Sequence, residues 1–536
     1  MKKTKKILSL VTIFLLITSL LVGCVSSTSK DTPGSQDQQA ADTKKEDSAP
    51  AGPYDEHLDL IWIGHYAGYS PKEDTEIEQL IEEKFNVTIH PVKMDYTKDE
   101  QWNLYWASGN TADSITVYQI NNRYERMISQ GLIREITEEM LRENMPTWMK
   151  KVESMTDPEI LKIKMYYDGK LYGAPSFTAT QAIPWVTGIR KDWMENVGVT
   201  KAPETVDELH DLLVKFVKND PDKNNKPDTY GMHGTNNGFG FILGAFGVQM
   251  EGFNIRDGKV KADFTTEEYK QALKMLQQWF KEGLIDPEFV TDNRDIMRKK
   301  WADSKFGVMF DNPWWFAQST ANNLTDMVLV NNPNAKIEFI PPVKGPDGKS
   351  GASIAYPKFD GNSVVFGKNT SDEKVKRIMA IKEEFCKDWD FYVRCFYGEE
   401  GKHYTKDKDG VIVPTAEYLN YEKQVESGLG SYFALIPVDM DHFRRITPLN
   451  DMPAYNVAFA SPKIYTTNGF PFAGTNESLL VKGADIKKVR EEFYFNAITG
   501  KIDIDAEWDS YINKLNAAGL KEVEDEYQVL HEKVIK

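Results

Sequence analysis

The spacing of apolar residues changes several times along the chain, and each change marks an element. Residues 58–64 read LDLIWIG, a nearly continuous apolar run of strand length. A helical pattern follows around Glu76 to Phe85, and NVTIHPVKMD then reads as a second strand. Strand, helix and strand in that order predict an α/β body. Further on, Val206, Leu209, Leu212, Leu213 and Phe216 recur at helical spacing. Thr205 and Glu208 form a capping box ahead of them. Thr265 with Glu268 predicts a second capped helix. Its apolar face is Tyr269, Ala272, Leu273, Leu276 and Phe280, and Gly283 is its stop. The segment from Ile486 to about Lys533 is mostly helical in pattern. No internal repeat is visible. The turn GHYAGYS after the first strand has the wrong spacing for a phosphate-binding glycine loop.

The N-terminus follows different rules. Lys2, Lys3, Lys5 and Lys6 precede an apolar run at 7–22, which ends in Leu21-Val-Gly-Cys24. The run is short for a membrane span and suits a secretory signal. Its ending resembles the lipobox of bacterial lipoprotein signal peptides. That resemblance implies cleavage before Cys24 and diacylation of its thiol, and two acyl chains suffice for stable anchoring. Residues 25–50 contain no aromatic residue and one β-branched aliphatic, Val25. Such a segment cannot bury enough surface to order itself and predicts a tether with a reach of about 28 Å.

Composition narrows the function. The 536 residues are 41% hydrophobic, enough for a large core, and carry a net charge of −16. A chain this acidic is a poor nonspecific nucleic-acid binder. Three cysteines exclude a disulfide scaffold. Cys386 and Cys395 lie on what reads as one helix, about 13.5 Å apart in rise, and are expected to be buried thiols. The eight histidines are scattered, with no HExxH pattern.

One loop has metal-ligand spacing. In NDPDKNNKPDTYG, Asp220, Asp222, Asn224, Lys226 and Asp228 fall at relative positions 1, 3, 5, 7 and 9 of a calcium loop. Position 7 needs only its backbone carbonyl, so Lys226 is no obstacle. Asn225 stands where an EF-hand has glycine and tolerates a left-handed conformation. Gly231 stands where the bidentate glutamate belongs. A structural Ca2+ is expected, with its shell completed from elsewhere. A polar turn rich in Asn and Asp is the alternative.

Several stretches together resemble one family. They include ASGNTADSI (107–115), GLIREITEEMLRENMPTW (131–148), DGKLYGAPS (168–176), GIRKDWMENVG (188–198), KEGLIDPEF (281–289), IPPVKGPDGKSG (340–351) and GEEGKHY (398–404). In this order they look like the extracellular solute-binding lipoproteins of bacterial carbohydrate ABC importers. The resemblance is to the large branch of roughly 500 residues related to alginate-binding proteins. Asn110 and Ala112 depart from its usual ASGDLPD, and Thr229 replaces a glutamate of the alginate-binding metal site.

The resemblance implies a periplasmic-binding-protein-like α/β fold of two lobes with a hinge and an interlobe ligand cleft. It maps as a signal peptide at 1–23, a lipid-anchored tether at 24–53, a first lobe at 54–178 and a second lobe at 179–354. A return to the first lobe follows at 355–395. The remainder of the second lobe and the C-terminal helices occupy 396–536. The implied function is non-catalytic capture of an extracellular oligosaccharide and its delivery to ABC permease subunits. The protein is then a monomer, held to the outer membrane face by its lipid, with no nucleic-acid partner. A surface glycoside hydrolase is the enzymatic alternative, but no carboxylate pair stands out for it. A structural or adhesive surface protein is the third reading.

Sugars need aromatic rings for their C–H faces and polar groups for their hydroxyls. VMFDNPWWF (308–316) supplies Asp311, Trp314 and Trp315 at a strand end, where α/β proteins bind ligands. Tyr66 with Tyr69, Tyr118 after SITV, Trp185 at the first crossing, and His403 with Tyr404 are the other candidates. Arg190 reads as structural. Arg190 or Lys191 facing the cleft would suit uronates, and neutral chains are equally compatible.

Overall fold

The computed structural model describes residues 54–65, 69–118, 123–155, 161, 166–167, 169–180, 183–235, 237–320, 322–353, 362–464 and 476–535. The signal, the tether, Cys24 and Tyr66 lie outside them.

Along the chain, β1 (Leu58–Ile63), β2 (Val87–Pro91), β3 (Ser114–Tyr118) and β4 (Gly173–Ser176) come first. Next are β5 (Val186–Arg190), β6 (Tyr230–Met232), β7 (Phe306–Asp311) and β8 (Ile337–Ile340). Then β9 (Asn362–Phe366) returns to the first group. Two sheets result, ordered β2-β1-β3-β9-β4 and β8-β5-β7-β6. In the first, β1 is parallel to β2 and β3, and β9 runs antiparallel between β3 and β4. In the second, β7 is parallel to β6 and antiparallel to β5.

Alternation along each strand splits its side chains between two faces. Leu60, Trp62, Val364 and Phe366 enter one first-lobe core, while Ile63, Ile115, Val117 and Val365 enter the core on the opposite face. In the second lobe Val308 and Phe310 face the larger core, and Met309 faces the smaller. The larger core is closed by helices Glu477–Ile498, Ile504–Ala517 and Leu520–Ile535.

Local signals hold in detail. The helix Val206–Lys218 carries the full capping box, and all five of its expected apolar positions are buried. The second capped helix shifts by one residue. Thr265 Oγ1 donates to Ala262 O inside a preceding 3₁₀ turn, so Thr266 caps Glu267–Lys281 instead. Trp279 takes the buried position expected of Phe280. Gly283 follows this helix at φ 76°, as a stop requires. The expected single helix around the two cysteines is two, Asp372–Lys387 and Trp389–Phe396. They are split at Asp388, whose carboxylate caps the second. Cys395 is buried, whereas Cys386 is only partly so.

The chain changes lobe after Phe177, between Ala352 and Val364, and after Ile436. The return to the first lobe therefore does not stop at 395. Tyr404, Ile412, Val425, Leu429 and Phe433 all lie in the first-lobe core. The first and last crossings pair with each other: Ala179 N–H donates to Val438 O at 2.7 Å, and Val438 N–H to Phe177 O at 2.9 Å.

Candidate functional site

The register fixes which sheet edges the crossings join. In the first sheet Tyr118 and Ser176 both pair with Asn362, so β3 and β4 end on one edge. The chain leaves that edge after Ser176 and enters the second sheet at Val186, which pairs with Asp311. The C-terminal ends of β3 and β7 therefore lie on the two edges that the crossing connects, where α/β sheets place ligands.

On the second-lobe edge, β7 ends at Asp311. Asn312 then caps the turn Pro313–Phe316, its Oδ1 accepting from Trp314 N–H at 3.0 Å. Proline suits the first helical position. Phe316 is buried in the core, while Trp314 is 54% exposed. Trp315 is half-buried, with the Arg298 guanidinium 3.9 Å from its ring centroid. Trp185, at the start of β5, packs on Phe310 at 5.6 Å, and its indole N–H has no hydrogen-bond partner among the described residues.

Asp311 is not the open acceptor that the sequence suggests. It is 0% exposed, and Oδ1 accepts from Arg294 Nη2 at 2.6 Å and from Asn312 N–H at 2.8 Å. Oδ2 faces Arg298 Nη2 at 3.6 Å. Arg294 and Arg298 are four apart on helix Arg294–Ala302, so one helical face presents both. Burial raises the Asp311 pKa, opposed by the two guanidiniums. Burial and repulsion from Arg294 lower that of Arg298.

On the first-lobe edge, His65 follows β1 and stacks on Tyr96 at 5.2 Å. Burial, with Lys382 beside it, holds His65 down at about 4, hence neutral. Beyond β3, Arg123 opens the helix Arg123–Ser129 and shares Asp99 with Arg126. Burial works against the Asp99 carboxylate, yet the two guanidiniums hold it below its ordinary range. Sequence reading missed this group, because Asp99 and Arg123 are brought together only by the fold.

The other candidates separate. Tyr118 ends β3 at this edge. Tyr69 packs edge-on against Tyr421 at 6.3 Å. His403 and Tyr404 are corrections, since both are buried in first-lobe packing. His403 Nδ1 accepts from Glu399 N–H at 2.8 Å, and Tyr404 lies in the core and pairs with Pro414. Arg190 is structural as expected, fully buried and bonded to Asp192 and Ser304. It and Lys191 stand at the opposite end of β5 from Val186, away from the joined edges.

Two clusters carry side chains of the kind that ligate divalent cations. In the first, Asp220 Oδ1 and Oδ2 accept from the N–H groups of Asn224 and Asn225, both at 3.0 Å, and curl the loop around the carboxylates. Asn225 has φ 60°, the left-handed conformation its position requires. The Asn224 amide lies 2.8 Å from Asp222 Oδ2 and 2.9 Å from Asp228 Oδ1, so three side chains converge. Burial, then the neighbouring Asp220 and Asp228, raise the Asp222 pKa. Lys305 neutralises one oxygen of Asp228 at 2.8 Å. Thr229 is no ligand here; its hydroxyl donates inward to Phe216 O at 2.8 Å.

The second set is His233, Asp286 and Asp292, invisible by spacing. There Lys300 Nζ already sits 2.9 Å from Asp286 and 2.6 Å from Asp292. Burial disfavours that ammonium, but the carboxylates raise its pKa above the ordinary value. The lysine supplies the positive charge a cation would bring.

Comparison with known proteins agrees with this architecture. Residues 67–380 match the family model for bacterial extracellular solute-binding proteins. The polygalacturonan/rhamnogalacturonan-binding protein YtcQ of Bacillus subtilis is 27% identical over 534 residues, covering 96% of this chain and 97% of that protein. The fructooligosaccharide ABC transporter substrate-binding protein FusA of Streptococcus pneumoniae is 23% identical, covering 88% and 89%. Among solved structures, an extracellular solute-binding protein from Bifidobacterium longum subsp. infantis superposes with a TM-score of 0.67 at 18% identity, covering 91% of this chain and all of that one. Alginate-binding protein AlgQ2 gives 0.64 at 19% identity, covering 90% of this chain and all of its own. Two α/β lobes joined at their strand-end edges, and a family match across more than half its length, identify this chain as a member of the bacterial extracellular solute-binding protein family.

Proposed function

We propose that the protein captures an extracellular oligosaccharide between its lobes and delivers it unchanged to an ABC-transporter permease. The joining of the two strand-end edges by the first crossing is the observation that carries this reading. A cleft there closes by bending at the paired crossings, and the closed form docks on the permease. Trp314 is the stacking ring in this reading, with Trp315 and Trp185 on the same edge and Tyr118 as the candidate at the end of β3. Relatives of comparable length bind polygalacturonan and fructooligosaccharide, one acidic and one neutral glycan, so they support sugar as the ligand without fixing its charge. Titration against an oligosaccharide panel, with product analysis, tests the proposal. Saturable binding with sugar recovered intact is expected; shortened products would favour a hydrolase.

The protein acts at the extracellular face of the membrane. Cys24 is the proposed lipidation site, on the strength of its basic, apolar and Leu-Val-Gly-Cys context. Changing Cys24 to Ser should move the protein from the membrane fraction to the medium. Retention of a processed variant on membranes would sink the claim.

Calcium is the proposed ion for Asp220, Asp222, Asn224, the Lys226 carbonyl and Asp228. Solved relatives include a calcium-free form of AlgQ2 and an EF-hand mutant of FusA, in keeping with such a site. An ion among these carboxylates offsets the burial, and then the repulsion, that raise the Asp222 pKa. Because it binds only the folded loop, a hundredfold excess over Kd adds about 2.7 kcal/mol of stability. Chelation should lower Tm, calcium should restore it, and Asp222→Ala should blunt both responses. Binding requires Asp222 ionised, so affinity falls as pH drops towards its raised pKa. A folded, dialysed protein indifferent to calcium would refute this.

A further inference from the structure

Both joined edges carry the same imbalance of charge. In the first lobe, Arg123 and Arg126 share one carboxylate, Asp99, at 2.5 and 3.1 Å. In the second, Arg294 and Arg298 share one carboxylate, Asp311, at 2.6 and 3.6 Å. Among the described residues each pair of guanidiniums thus has one carboxylate in ion-pair contact, with Asp295 a further acid near Arg298, in a chain whose net charge is −16.

The imbalance is not spent on internal hydrogen bonds. Arg123 is only 3% exposed, yet its Nε and Nη1 have no hydrogen-bond partner among the described residues; Nη2 alone is used, by Asp99 and Tyr96 O. Nε of Arg298 likewise has no hydrogen-bond partner there, and its Nη2 makes only the 3.6 Å ion-pair contact with Asp311. Buried donors are ordinarily satisfied, and leaving one unmade costs about 1–3 kcal/mol. Each guanidinium also lies over a ring: Arg123 is 4.6 Å from the Trp102 centroid and Arg298 3.9 Å from that of Trp315. A guanidinium placed over a ring can keep its in-plane donors for a planar, two-oxygen acceptor.

We propose that Arg123 and Arg298, one from each lobe, read carboxylates on an acidic oligosaccharide of uronate type held between them. This rests on the oligosaccharide-binding reading and adds the ligand's charge. Asp99 and Asp311 are then positioning residues: each fixes the guanidinium plane and leaves other donors for the ligand. A neutral sugar hydroxyl cannot supply the missing negative charge, so the clusters select acids over isosteric esters. Because the two arginines stand on different lobes, an acid bridging them also favours the closed form.

The test is calorimetric titration of the full folded body with trigalacturonate, with its fully methyl-esterified form, and with neutral oligosaccharides. The unaltered protein should bind the acid at least thirtyfold more tightly than the ester. Arg123→Gln and Arg298→Gln should each lose tenfold or more for the acid with little change for the ester, so the acid-to-ester ratio collapses. Equal binding of acid and ester overturns the inference, as does binding of a neutral glycan in preference to trigalacturonate; both leave oligosaccharide capture standing. Silence toward every glycan overturns the capture reading along with it. The acid-to-ester comparison on the unaltered protein decides the matter even if a variant fails to fold.

Discussion

Replacing Trp314 with alanine should cost more than 2 kcal/mol of oligosaccharide binding, about thirtyfold or more in Kd, while leaving the unfolding midpoint in place. The ring is 54% exposed on a turn fixed by Pro313 and the Asn312 cap, so it is presented to solvent in a defined position at little entropic cost. A stacking indole at the centre of a sugar contact behaves as a hot spot. Truncating an exposed ring opens no closed cavity, so stability should stay within about 0.5 kcal/mol. Paired calorimetric and urea titrations separate the two effects. Unchanged sugar affinity would remove Trp314 from the site and move the stacking role to Trp185 or Trp315.

Asp311→Ala should do the reverse in magnitude: a loss of stability of about 3–5 kcal/mol. The carboxylate is fully buried between Arg294 and Arg298, and removing it strands both guanidiniums. The cost arises from the abandoned charges more than from the lost bonds. Combining Asp311→Ala with Arg298→Met should therefore recover part of the loss, a non-additivity that a double-mutant cycle measures. A shift in urea midpoint corresponding to less than 1 kcal/mol for the single variant would show that the pair is relieved by water.

What the sequence discloses depends on how far apart the interacting residues lie. The helix Val206–Lys218 and its cap are written within a few turns of chain, and its expected boundaries match the fold. The alternating loop 220–228 is equally local, and even the left-handed Asn225 follows from its position. Trp314 and Trp315 look alike in PWWF, yet one is exposed and the other lies under Arg298. The distinction comes from a helix that precedes the strand. Asp311 reads as an open acceptor for the same reason. His403 and Tyr404 are buried by packing that no spacing rule reveals. The Arg123–Asp99 group and the Lys300 cluster exist only once separate segments meet.

The place of β9 in the first sheet has a consequence for assembly. It lies between β3 and β4, although it follows both of them and the whole β5–β8 segment in the chain. A polypeptide exported N-terminus first thus carries an open sheet edge on β3 until residue 366 has emerged, and an incomplete first-lobe core until Ile436. The second lobe waits in turn for its last three helices. Neither lobe can be finished and set aside while the other is made. Contacts of such long range make folding slow, and unpaired edges invite association in the interval. Termination after residue 353 should consequently yield an aggregating fragment rather than one folded lobe with a tail.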